Sequence, residues 1–244
     1  MRLFGSVYYK GTRYAGWQRQ PNVLSVQEVI ETNLSKFFNR EITIYGAGRT
    51  DAGVHAFAQK FHFDVDVDHI DLDRLLYSMN MMLPADIKID DIDEVDPSFH
   101  ARYSVKSKTY TYCILLESKD PFLYETAWLH PQSIDIDKLK DVLTYFVGRH
   151  NYKNFTSKEE DKDNFVREIY SIDVTTSTDL IYITLRGNGF MRYMIRNIVG
   201  TAVRVCDKEL DPSFVEELLD ENSPREVVSW KAPACGLTLV DVEY

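Results

Sequence analysis

Two side chains in the run GAGRTDAGVHA, residues 46–56, are of the types that do acid–base or nucleophilic chemistry: Arg49 and Asp51. They stand two apart, so in an extended segment they share one face, where guanidinium and carboxylate can pair. Gly46, Gly48 and Gly53 strip the surroundings of side chains and permit backbone angles that other residues avoid, so a bulky partner can approach closely. Taken alone, an R-T-D would be a bend in which Asp51 caps a turn and Arg49 neutralises it. A phosphate-cradling loop is a second alternative, but such loops open a helix. This run leads into a strand and has neither a Lys-Ser/Thr pair nor G-x-G-x-x-G spacing. A catalytic carboxylate is the third, as nucleophile or general base. Glycosidase chemistry would require a second carboxylate about 5 to 10 Å away. The candidates nearest in sequence, Asp64 and Asp66, fall on the polar face of a strand.

No competing centre stands out elsewhere. The six histidines form no HxxxH or HxH pair, and Cys113, Cys206 and Cys235 form no CxxC pair, so neither a metal site nor a disulfide framework is indicated. The thiols read as buried, and any catalysis as metal-free.

The elements that must position Arg49 and Asp51 follow from periodicity. SVQEVIETNLSKFFN opens with Ser25 and Glu28 in capping-box spacing and repeats Val26, Ile30, Leu34 and Phe37, which predicts a helix. KFHFDVDV alternates Phe61, Phe63, Val65 and Val67 with Lys60, His62, Asp64 and Asp66, a half-buried strand. Further on come a helix in DLDRLLYSMNMML, a strand in IKIDDIDEV and a long extended run through FHARYSVKSKTYTYCILLES. A helix over DIDKLKDVLTYFVGRH and strands VREIYSIDVTT and LIYITLRG joined by STD follow. The last elements are a helix in RYMIRNIVGTAVRVC, a short helix from Asp211 with Pro212 in its first turn, and a terminal strand in GLTLVDVEY. Hairpins outnumber strand-helix-strand crossovers, which favours an α+β fold. Two pseudo-symmetric halves are expected, divided at 1–103 and 104–244. They would share a continuous, mostly antiparallel sheet flanked by helices, with a central active-site cleft.

With 44% hydrophobic and 13% aromatic residues in 244, the chain can build a substantial core. It has no run long enough to span a membrane, and its N-terminus lacks the apolar core and cleavage site of a secretory signal, so a cytoplasmic location is expected. The formal charge of −10 argues against a simple nucleic-acid binder. The acidic residues cluster in DVDVDHIDLDR, DIKIDDIDEVD, EEDKD and EELLDE, read as solvated strand ends and helix faces, which leaves the basic ones free to gather elsewhere.

The run GAGRTDAGVHA resembles the signature of the tRNA pseudouridine synthase A family. YAGWQRQ (14–20), SVQE (25–28), FHARYS (99–104), KTYTY (108–112), RNIVG (196–200) and GLTL (236–239) resemble its other landmarks in the same order, across essentially the whole chain. The resemblance implies an isomerase that converts uridine to pseudouridine in the anticodon stem-loop of tRNA, at tRNA positions 38, 39 and 40. That reaction breaks the N1 glycosidic bond, rotates the uracil and rejoins it through C5, without redox change, so no cofactor or metal is needed. It implies Asp51 as the catalytic carboxylate, Tyr110 beside the uracil, and Arg196 pairing with Asp51 to keep it ionised. Arg49 would occupy the space the extruded base leaves, and Leu237 would pack under the base. Tyr110 shares a strand face with Tyr112, and by periodicity alone both read as core. RNA contact would draw on Lys10, Arg13, Arg19, Lys106, Lys108, Arg149 and Arg192, with Lys153, Arg167 and Arg186. A homodimer, with tRNA as partner and no membrane association, is implied as well.

Overall fold

A computed structural model of the chain describes residues 1–116, 120–157 and 164–244. The acidic run EEDKD, residues 159–163, and the last two residues of the run ending in Glu117 and Ser118 lie outside the described residues. The chain divides into two compact units, Met1–Lys106 with Thr238–Tyr244, and Ser107–Leu237. The sequence division at 103/104 falls three residues earlier and leaves the terminal strand with the second half; here its residues Thr238–Tyr244 belong to the first unit.

In the first unit, strand β1 (Arg2–Tyr9) lies antiparallel between β3 (His55–Asp64) and β4 (Ile87–Val95). Two short partners complete β3. Strand β2 (Tyr45–Gly46) pairs antiparallel with it at His62 and Phe61, and β10 (Leu237–Glu243) runs parallel to its start, Thr238 opposite His55. Helices α1 (Val26–Phe38) and α2 (Leu72–Met82) supply the covering layer. Both begin where their caps predict: Ser25 Oγ accepts from Glu28 N at 3.3 Å, and an Asp71 carboxylate oxygen accepts from Arg74 N at 2.9 Å. Asn39, in the left-handed region at φ 52°, ends α1. Leu3, Val7, Ile30, Leu34, Phe61, Phe63, Leu75, Met79 and Ile89 are wholly buried and form the core of this unit.

Two expectations for this unit are corrected. The segment 99–106 is a turn rather than the start of an extended run. Ser104 N bonds back to His100 O at 3.0 Å and Arg102 N to His100 Nδ1 at 3.1 Å, so local bonds bend a segment whose composition suggests a strand. His62 leaves the polar face assigned to it. It is buried beneath Tyr45, whose ring stacks on it at 5.1 Å, and its Nδ1 accepts from Ala101 N at 3.1 Å.

In the second unit, β5 (Ser107–Leu116) pairs antiparallel with β9 (Leu180–Gly187) and parallel with β6 (Trp128–His130). Strand β8 (Val166–Ser177) joins β9 to β7 (Gly148–Asn151), and Thr178, at φ 50°, turns the β8–β9 hairpin. Helix α3 (Ile136–Thr144) packs against α4 (Met194–Asp207), with α5 (Phe214–Leu219) following. The expected helix over 135–150 stops at Thr144, because Phe146 N and Val147 N turn back to Leu143 O and Thr144 O and the chain re-enters as β7 at Gly148. Helix α5 begins at Phe214, after a turn from Asp211. The three cysteines are free and half-buried rather than fully buried, and burial pushes the Cys113 and Cys206 thiols up to about 11. The fold is α+β. Among the described residues no helix is long and apolar enough to cross a membrane.

Candidate active site

The run 46–56 spans the gap between β2 and β3, and other segments hold several of its backbone groups. Ala47 N donates to Lys60 O at 2.7 Å, and Gln59 Nε2 donates to Gly48 O at 3.0 Å. Thr50 O accepts from Trp17 N at 3.2 Å, while Gly53 N donates to Tyr14 O at 3.3 Å. The Thr50 hydroxyl shares a 2.8 Å bond with Tyr9 Oη, both groups being buried. A turn closed by Val54 N on Asp51 O at 3.1 Å then feeds β3. The YAGWQ segment is therefore the floor of the loop. Gly46 is glycine because the Trp17 indole lies where a Cβ would be, and Gly53 takes φ 79° in the turn.

That floor is itself pinned by α1. Gln27, 7% exposed, accepts from Gln18 Nε2 and Arg19 N, both at 3.0 Å, and donates to Ile44 O at 3.1 Å and to Glu31 at 2.9 Å. Glu31, also buried, takes further donors from Ile44 N at 3.1 Å and Arg19 at 3.2 Å. Apart from the Gln27–Glu31 bond, which lies within α1, each bond joins the floor or the entry to β2 to the helix. Replacing Gln27 with alanine strips four bonds and leaves buried groups unsatisfied, each costing about 1–3 kcal/mol before relaxation. The variant is expected to lose about 3 kcal/mol, a drop of roughly 6–12 °C in Tm for a chain of this size, read by thermal unfolding. A Tm within 1–2 °C of wild type would refute the bracing role.

The turn at Asp51 also corrects the local reading of R-T-D. A common face for residues two apart requires a continuing strand, and the chain bends here instead. Arg49 is exposed, Thr50 buried and Asp51 half-buried, and among the described residues the Arg49 guanidinium forms no ion pair. Asp64, considered as a second carboxylate, is committed to a bidentate bond from Arg2, with both contacts at 2.8 Å. Arg2 holds its carboxyl below the usual carboxylate range, opposite to the raised value a glycosidase acid needs.

Beside Tyr45, the buried His62 meets His100 edge-on at 4.5 Å. Burial first, and then the charges of His100 and Arg2, lower its pKa to about 4. The unfolded chain binds a proton there below about 6.5, whereas the native chain stays neutral down to about 4, so stability falls as pH drops through that window. His62→Asn keeps an acceptor for Ala101 N and removes the titration. Urea midpoints measured between pH 7 and 4.5 should fall less steeply for the variant than for wild type; equal slopes would show that His62 is not the cause.

In the second unit, Tyr110 lies on β5 opposite Leu185, 7% exposed, with its ring edge-on to Phe190 at 5.4 Å. Its neighbour on that face, Tyr112, is fully buried and donates to Pro233 O at 2.7 Å. Arg196, on the first turn of α4, donates from Nε to Ala232 O at 2.8 Å. Leu237 is buried and opens β10 behind a 3₁₀ turn over Ala234–Gly236.

The basic residues expected at RNA divide by surroundings. Lys10, Arg13, Arg19, Lys106, Arg149 and Arg192 are exposed and Lys108 is half-buried. Arg13 pairs with Asp86 at 2.7 Å, Arg19 with Glu31, and Lys106 Nζ donates to the Tyr244 carbonyl at 2.9 Å. Arg167 donates to Val166 O, and Arg186 lies over the Tyr170 ring at 5.4 Å. Lys153 is a correction: it is buried and its Nζ holds the Glu221 and Ser223 carbonyls, so it ties a loop down rather than facing solvent. Sequence reasoning missed Gln27 and His62 because a buried hydrogen-bond hub has no periodic signature.

A family model described as tRNA pseudouridine synthase matches residues 6–104 and 142–244. The chain is 38% identical to the tRNA pseudouridine synthase A of Brevibacillus brevis over 100% of its own length and 99% of the relative's. It is 36% identical to the protein of that name from Caldicellulosiruptor bescii, over 98% of each chain, and 36% identical to that of a Thermotoga species, over 100% and 99%.

Proposed function

The chain belongs to the tRNA pseudouridine synthase family, and on that premise we propose that it isomerises uridine to pseudouridine in the anticodon stem-loop of tRNA, with Asp51 as the catalytic carboxylate. The observation that carries the assignment of Asp51 is the bracing of its loop. Backbone bonds to Trp17, Tyr14 and Lys60 and a side-chain bond from Gln59 fix residues 47–53, and hold a half-buried carboxylate at a turn. A reacting group carried on a braced loop is ready for substrate without rearrangement.

The reaction breaks C1′–N1, turns the uracil, forms C1′–C5 and in net moves the C5 proton to N1, so atoms and electrons balance within the nucleotide. Whether it attacks the sugar or base or takes a proton from the ribose, the carboxylate must be ionised. By the family resemblance Arg196 keeps it so, and the bond to Ala232 O already orients that guanidinium. Tyr110 offers the uracil an aromatic face and a hydroxyl, Leu237 an apolar contact. Arg49, exposed and outside any ion pair among the described residues, suits the space the extruded base leaves. The protein is proposed to act as a homodimer in the cytoplasm.

The test is incubation of the purified protein with unmodified tRNA transcript, followed by mapping of pseudouridine and assay for free uracil. Pseudouridine in the anticodon arm without uracil release is the expected result. Tight binding without product would identify a binding module instead, and free uracil a hydrolase. Light scattering should return about twice 28.4 kDa for a dimer.

A further inference from the structure

Tyr193 stands at a conformation and in a company that packing alone does not explain. It precedes α4 with φ 65°, in the left-handed region that bulky side chains avoid. Glycine or asparagine would sit there at less conformational cost, so what this residue contributes is its ring. Three cations converge on that ring: Lys231 Nζ lies 3.9 Å from its centroid, the Arg192 guanidinium 4.8 Å and the Arg196 guanidinium 5.5 Å. An aromatic face attracts each of them. They nevertheless lie within roughly 10 Å of one another, close to the Debye length of about 8 Å at physiological salt, so part of their mutual repulsion survives screening.

The cluster is also rigid. Arg196 and Ala232 exchange bonds in both directions, Ala232 N to Arg196 O at 3.0 Å and Arg196 Nε to Ala232 O at 2.8 Å. The Trp230 carbonyl seats against Gly200, which leaves no room for a Cβ there. Lys231 is thus held on both sides against α4 while its side chain remains exposed. On the other flank the Arg192 carbonyl accepts from Thr156 Oγ1 at 3.2 Å.

We propose that Arg192, Tyr193 and Lys231 form a phosphate clamp for the tRNA backbone, in which the Tyr193 ring gathers the cations and Lys231 and Arg192 grip a phosphodiester. The clamp rests on tRNA being the substrate. A phosphodiester supplies the negative charge that the cluster concentrates, and cations fixed in advance lose little freedom on meeting it. In a chain of formal charge −10, such a concentration of positive charge marks a footprint for the polyanion.

The test is equilibrium binding of unmodified tRNA at 50 to 200 mM salt, for wild type, Lys231→Ala, Lys231→Glu, Tyr193→Phe and Tyr193→Leu, with melting curves to verify folding. Lys231→Ala is expected to bind on the order of tenfold more weakly and to lose about one unit of salt slope. The fourfold rise in salt then costs it about three- to fourfold less affinity than it costs wild type. Tyr193→Phe keeps the aromatic face and should match wild type, while Tyr193→Leu keeps all three charges yet should bind more weakly. Wild-type affinity and slope in both Lys231 variants would overturn the clamp, as would a Tyr193→Leu that binds like Tyr193→Phe. Wild type that forms no pseudouridine but shows these shifts would overturn the proposed reaction and leave the clamp standing.

Discussion

Asp51→Asn is expected to abolish pseudouridine formation, lowering single-turnover rates at least ~10⁴-fold, while the protein still folds and still binds tRNA. The magnitude follows from the part assigned to the carboxylate: asparagine has nearly the same shape but is neither a nucleophile nor a base, and loss of such a group typically costs 10⁴–10⁶-fold. The fold should survive because the bond that closes the turn comes from the Asp51 carbonyl, not from its side chain, and because Thr50, Gly53 and Gly48 anchor the loop on either side. Rates, tRNA affinity and Tm measured together separate the alternatives. Residual activity within tenfold of wild type would remove Asp51 from the chemistry. Loss of activity accompanied by a large fall in Tm would make it a structural residue.

Gly16→Ala should be strongly damaging although it adds a single methyl group. Gly16 sits at φ 91°, and a Cβ there would stand 2.5 Å from Thr50 O, 3.0 Å from Asp51 C and 3.1 Å from Ala52 N, all of them backbone atoms. Nothing flexible can yield, so the loop bearing Asp51 must move. Positive φ and overpacking together are expected to cost about 3 kcal/mol or more, or roughly 6–12 °C in Tm. A displacement of about 1 Å at the carboxylate would lower activity on the order of 10²-fold in the molecules that do fold. Gly148→Ala isolates the conformational part. Its φ is 105°, but the nearest atom to an added Cβ is His150 Nε2 at 3.4 Å, so it should lose only about 1 kcal/mol. Calorimetry of the two variants decides the matter: equal, small losses would mean that the loop is not seated on Gly16.

How legible the molecule is from its sequence varies with the range of the interaction involved. Ser25 and Asp71 announce their helices because a cap bonds three residues ahead, and the strand at 180–187 keeps the alternation that marks it. Asp51 is legible in a different way. Its local pattern fits a bend as well as a catalyst, and only the eleven-residue run with its companion landmarks points to the chemistry. The landmarks YAGWQRQ and SVQE are legible as a resemblance, but their physical role is not. That Trp17 lies under Gly46, and that Gln27 ties residues 18, 19 and 44 to α1, depends on segments brought together by folding.

The misreadings share that origin. His62 alternates as a polar-face residue until Tyr45 from β2 covers it, and Lys153 reads as a surface charge until the carbonyls of residues 221 and 223 close on it. Arg49 and Asp51 share a face only in a strand, and the Val54–Asp51 bond makes a turn. The sequence by itself therefore determined the α+β class, the helices with local caps, and the family together with its expected carboxylate, since these rest on neighbours along the chain. Tertiary structure alone decided which polar groups are buried, how the Asp51 loop is braced and that Lys231 joins the neighbouring Arg192 and Arg196 at Tyr193, because each is set by segments distant along the chain whose meeting no local period encodes.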